Sequence, residues 1–264
     1  MEFFPGLFLP ADRDRWVDRI LAGLHAFETV LGVSLRDAHS GTKFHATTKP
    51  VPDRRKFLLQ RLKTKNRWFS LFSGQGLRRT PDGPRNIDYF LFGGSMYWHD
   101  DLFSVKVMTP ELSGETAEKL LVALGDALEL ESAQYSPEAT ARRLRLAHWC
   151  IKIGDRGERH PLEDRTEAEE RLPIIRESTY DGLSPLQPHH FGWLNYWSKE
   201  VSERQKFPAR AQGGELLDHS YQTPRGGWLI KFQALAPAPG DDRFAQQLRA
   251  AYERFPAVGY RLGM

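Results

Sequence analysis

The chain has 264 residues, enough to bury a substantial core in one large domain or two small ones. Hydrophobic residues make up 40% and charged residues 27%, a balance that excludes disorder over most of the length. The single cysteine, Cys150, excludes an internal disulfide and a cysteine-rich zinc site, and it points to a reducing compartment.

The net charge of +3 conceals segregation. Residues 50–85 carry ten basic side chains (Arg54, Arg55, Lys56, Arg61, Lys63, Lys65, Arg67, Arg78, Arg79, Arg85) against only Asp53 and Asp82. The opposite pole is Glu163, Asp164, Glu167, Glu169 and Glu170, with Arg165 as the one basic residue among them. Such segregation speaks of partners and not of fold. The first ten residues lack the basic start and unbroken apolar stretch of a signal peptide, and no apolar run approaches the roughly 20 residues of a membrane span. A cytoplasmic protein is expected.

In chain order, residues 12–32 predict an amphipathic helix. Trp16, Ile20, Leu24, Phe27 and Leu31 recur at helical spacing, with Val17 and Leu21 beside them and Gly32 as the stop. A second helix is expected over 53–65, with Phe57, Leu58 and Leu62 facing inward and its charges in solvent. Three segments, 67–72, 86–92 and 102–108, are rich in aromatic and β-branched residues and read as strands, the last one cleanly alternating. Gly74-Gln75-Gly76 and Gly93-Gly94 between them read as turn glycines. Ser113 is the expected N-cap of a helix with Ala117, Leu120, Leu121, Leu124 and Leu128 on one face.

Residues 154–190 are the least regular stretch and read as an exposed connector holding the acidic pole. Beyond it, 216–222 and 227–233 flank Pro224-Arg225-Gly226 as a hairpin. A helix follows from Asp242, carrying Phe244, Leu248, Ala251, Tyr252 and Phe255, and a short strand closes the chain over 258–261. Hairpin, linker, helix and strand are thus read twice, over 86–135 and 215–261, which fits two related lobes or simply a common arrangement. The class is α+β, mainly antiparallel sheets with helices packed on one face. The expected organisation is an N-terminal lobe 1–135, a connector 136–190 and a C-terminal lobe 191–264, together able to form one compact domain.

Chemistry leaves little trace. The nine histidines include no pair at the spacing that sets two metal ligands on one helix face. His99 with Asp100 and Asp101 sits in a turn-like setting, as does the His189-His190 pair. Cys150 lies between Trp149 and Ile151, an apolar setting for an inert thiol. Neither a Gly-x-Ser-x-Gly elbow nor a phosphate loop is present. No catalytic residue, metal or cofactor is expected. The basic segment 54–85, with Phe57, Trp68 and Phe69 nearby, supports an alternative reading as a nucleic-acid surface.

The C-terminal part carries recognisable residues. Phe191-Gly192-Trp193-Leu194-Asn195-Tyr196-Trp197-Ser198 is followed by Phe207-Pro208, then by Gly226-Gly227-Trp228-Leu229-Ile230. The last set is Ala251-Tyr252-Glu253-Arg254-Phe255-Pro256-Ala257-Val258-Gly259. In this order and spacing the set, spanning roughly 190–261, resembles the immunity protein 52 family of bacterial polymorphic toxin systems. The resemblance implies a protein that binds and neutralises a cognate restriction-endonuclease-like DNase toxin delivered by a secretion system. It implies no catalysis by the chain itself.

By residue type, Gly192, Trp193, Asn195, Tyr196, Trp197, Gly227, Trp228, Tyr252, Phe255 and Pro256 are expected to specify the fold and not to touch the toxin. The glycines fit turns or bulges. A nuclease cleft is basic, so Glu163, Asp164, Glu167, Glu169 and Glu170 are the candidate toxin-binding surface. The overall positive charge fits the rival arrangement, docking away from the active site.

Overall fold

The computed structural model describes residues 2–4, 12–40, 47–63, 68–73, 90–96, 103–109, 112–148, 150–153, 156–159, 165–174, 187–188 and 190–259. The chain divides into two units, Met1–Leu130 and Glu131–Met264. Both combine helices with antiparallel strands, so the class is α+β. No described helix is long and apolar enough to cross a membrane.

The first unit runs β1 (Glu2–Phe4), α1 (Arg13–Leu31), β2 (Asp37–Ser40), β3 (Thr47–Pro50), α2 (Arg54–Lys63), β4 (Trp68–Ser73), β5 (Phe90–Met96), β6 (Phe103–Met108) and α3 (Gly114–Ala127). Its strands are ordered β1-β6-β5-β4-β2-β3, each pair antiparallel. The apolar stripe of α1 buries Trp16, Val17, Ile20, Leu24 and Phe27, and the Phe27 ring meets Phe92 of β5 edge-on at 5.8 Å. Gly32 ends α1 in the left-handed region at φ 65°, its N–H donating to the Glu28 carbonyl. Ser113 caps α3 as expected, its hydroxyl accepting from the Thr116 N–H.

The strand pair β2 and β3 falls in a stretch whose residues carry no alternating apolar signal. Leu58 and Leu62 of α2 are buried as expected, whereas Phe57 is half-buried with the Arg61 guanidinium 5.3 Å from its ring centroid. Gly93 and Gly94 are not turn residues: β5 runs straight through them. A Cβ at Gly93 would lie 2.9 Å from the Phe69 carbonyl oxygen, so the close approach of β4 explains the glycine.

The second unit runs β7 (Ser132–Tyr135), α4 (Glu138–His148), β8 (Cys150–Ile153), β9 (Arg156–Arg159), α5 (Glu167–Glu170), β10 (Leu194–Trp197), α6 (Lys199–Gln205), β11 (Tyr221–Gln222), β12 (Trp228–Lys231) and α7 (Asp242–Arg254). Its sheet is ordered β7-β10-β12-β11, and β8 pairs with β9 separately. All four residues of β10 are buried, since both edges are paired and both faces are covered. The expected hairpin forms only in part. Glu215–Leu217 is a 3-10 turn in which the Ser220 hydroxyl bonds the Leu216 carbonyl, so pairing begins at Tyr221. Of the strand expected over 258–261, residues 260 and 261 lie outside the described residues. Val258 and Gly259 lie in a turn, the Val258 N–H bonding Phe255 and the Gly259 N–H bonding the Pro188 carbonyl.

Candidate functional site

The residues singled out at 190–259 converge on one aromatic core. Phe191 lies at its centre, with ring centroids 5.0 Å from Tyr252, 5.4 Å from Phe232, 5.8 Å from Trp197 and 6.2 Å from Phe255. Trp197 continues the cluster to Phe207, which meets Trp228 edge-on at 5.0 Å. The Tyr252 hydroxyl accepts from the Phe191 N–H, which satisfies both buried groups. Asn195 closes a local ring with Gly192: its Oδ1 accepts from the Gly192 N–H at 2.8 Å and its Nδ2 donates to the Gly192 carbonyl at 3.0 Å.

The two motif glycines are demanded by backbone proximity. A Cβ at Gly192 would stand 2.8 Å from the Tyr135 carbonyl oxygen, and one at Gly227 would stand 2.5 Å from the Trp197 carbonyl oxygen. Trp193 and Tyr196 are buried, Trp228 is half-buried, and Pro256 alone of the set is exposed. These residues therefore build the scaffold.

A second constellation lies where α4, α5 and α7 meet the loop 233–241. Arg143 of α4 makes a two-pronged ion pair with Glu169 of α5, Nε to Oε1 at 2.6 Å and a terminal nitrogen to Oε2 at 2.8 Å. The Glu169 side chain is 3% exposed and that of Arg143 14%. Glu169 also completes a capping box with Thr166, accepting from the Thr166 N–H while the Thr166 hydroxyl accepts from its own N–H. The pair lines a small cavity with Thr140, Gly240, Asp241 and Phe244, with room for about one water molecule.

The loop above is tied down from beneath. The Thr140 hydroxyl donates to the Pro237 carbonyl at 2.8 Å and the Trp193 indole donates to the Gln233 carbonyl at 2.9 Å. The Asp241 N–H reaches the Ala238 carbonyl at 3.2 Å, and Asp241 also caps α7 by accepting from the Phe244 N–H. Gly240 turns the chain at φ 77° against the Arg143 guanidinium. Over this platform Leu235 projects with 80% of its surface exposed.

The acidic pole is not a single surface. Glu163 and Asp164 lie outside the described residues. Glu167 and Glu170 are exposed on α5, with Glu167 paired to Arg171 one turn on. Glu169 must be withdrawn from the candidate toxin-binding set as a surface group, because a carboxylate this buried is held by Arg143 and the α5 cap.

The leading arginines of the basic segment are likewise engaged. Arg54 forks onto Glu28 at 2.7 and 2.9 Å and donates to the Leu35 carbonyl, pinning α2 to the end of α1. Arg55 pairs with Asp18, whose hydrogen bond and charge raise the guanidinium pKa above its ordinary value. Lys56 and Lys63 stay exposed, while Lys65, Arg67, Arg78, Arg79 and Arg85 lie outside the described residues. His99, Asp100, Asp101 and His189 also lie outside them, and the Gln134 amide bonds the half-buried His190 ring at 2.6 Å. Among the described residues no three His, Cys, Asp or Glu side chains stand together as a metal site.

A sheet-and-helix scaffold whose motif residues, Pro256 and the half-buried Trp228 aside, are interior defines a class of protein by architecture and not by reaction. Residues 130–263 match the family described as "Domain of unknown function (DUF5953)", and the chain belongs to that family. Among curated proteins none matches. Among solved structures the chain is similar in fold to one described as "Pseudomonas aeruginosa T6SS protein PA0821". The two are 12% identical with a TM-score of 0.54, over 98% of this chain and 72% of that one.

The run Ala234–Pro239 escaped the sequence reading because it has no periodicity. Its signal was six consecutive apolar residues with two prolines in a chain otherwise dense in charge.

Proposed function

We propose that this chain is an immunity protein: it binds a nuclease toxin delivered by a secretion system and neutralises it without chemistry of its own. The observation that carries the reading is the fold shared with a T6SS protein along nearly the whole chain. The motif set over 190–261, with its likeness to the immunity protein 52 family, supplies the finer step from secretion to immunity. A toxin that attacks DNA acts in the cytoplasm, so the chain works there.

Burial of Glu169 and the Glu167–Arg171 pair weaken the idea of a carboxylate surface plugging a basic cleft. Docking away from the toxin's active site accords better with a chain of net charge +3. The nucleic-acid alternative loses ground on the same kind of evidence, because Arg54 and Arg55 spend their charge on Glu28 and Asp18.

The test is co-expression with the product of the adjacent gene. The expected outcome is a neighbour lethal alone, tolerated together and eluting bound to this chain. A harmless neighbour with no complex would refute the reading, and salt-sensitive DNA binding by the purified chain would replace it with the alternative.

A further inference from the structure

We draw no further inference here: the strongest candidate, the exposed basic face of α2 that carries Lys56 and Lys63, is a helix face that solvent alone satisfies, and nothing in the structure shows what covers it.

Discussion

Removing the Glu169 carboxylate should show what the Arg143–Glu169 pair contributes. In Glu169→Ala the Arg143 guanidinium, 14% exposed, loses both prongs of its partner, and the Thr166 N–H loses the acceptor of the capping box. Breaking a buried pair from one side costs about 3–5 kcal/mol. The slight exposure of Arg143 places the expected loss near the lower end, about 3 kcal/mol. With a urea m-value of about 1.5 kcal/mol/M, the midpoint for the second unit should fall by about 2 M.

The companion variant is the double replacement Arg143→Met with Glu169→Met. An apolar pair of similar length removes both charges and should return the part of the loss that comes from the ion pair, leaving only the lost capping-box acceptor of the Thr166 N–H. Tyrosine and tryptophan near-ultraviolet dichroism during urea titration reads the packing around Phe191 and Trp197 directly. A Glu169→Ala loss below about 1 kcal/mol would refute the burial argument. A double variant as unstable as the single one would refute the claim that breaking the ion pair from one side causes the loss.

Gly192→Ala is expected to destabilise by about 1–3 kcal/mol, because its Cβ meets backbone at Tyr135 and neither chain can yield cheaply; thermal melting checks it. Asn195→Leu strands the Gly192 N–H in the interior and should lower stability by about 1–3 kcal/mol, with amide exchange at Gly192 accelerated in proportion. Glu215 receives hydrogen bonds from Gln247 and Arg243, and these, with the Arg243 charge, hold its carboxyl below the ordinary range. Its depressed folded pKa means that its contribution is present above the unfolded value and lost as pH falls through the folded one. The melting-temperature gap between Glu215→Gln and the parent should therefore exist at neutral pH and close in acid; a gap constant with pH would contradict it.

Much of the scaffold was legible because its signals are long. The stripe from Trp16 to Leu31 and the capped run after Ser113 each repeat over several turns, and each became the helix expected. Strand β10 was invisible for the opposite reason. It is four residues long and buried on both faces, so Leu194, Asn195, Tyr196 and Trp197 show no alternation to detect. The interior role of Trp193, Trp197 and Tyr252 followed from residue type alone. The burial of Glu169 did not: the Thr166-x-x-Glu169 spacing marks a helix cap, but the Arg143 that holds the carboxylate in the interior lies 26 positions away. Gly93 misled for a related reason: a glycine needed for strand approach and one needed for a turn look identical in sequence.

The inward position of Gly192, Trp193, Asn195, Trp197 and Tyr252 bears on inheritance. Selection on those side chains acts through folding, whereas selection on whatever is recognised acts on outward positions. The two sets can drift at separate rates. Descendants of one ancestor can thus keep an unchanged interior while exchanging the molecules they answer to, and kinship within the group testifies to shared architecture rather than to a common target.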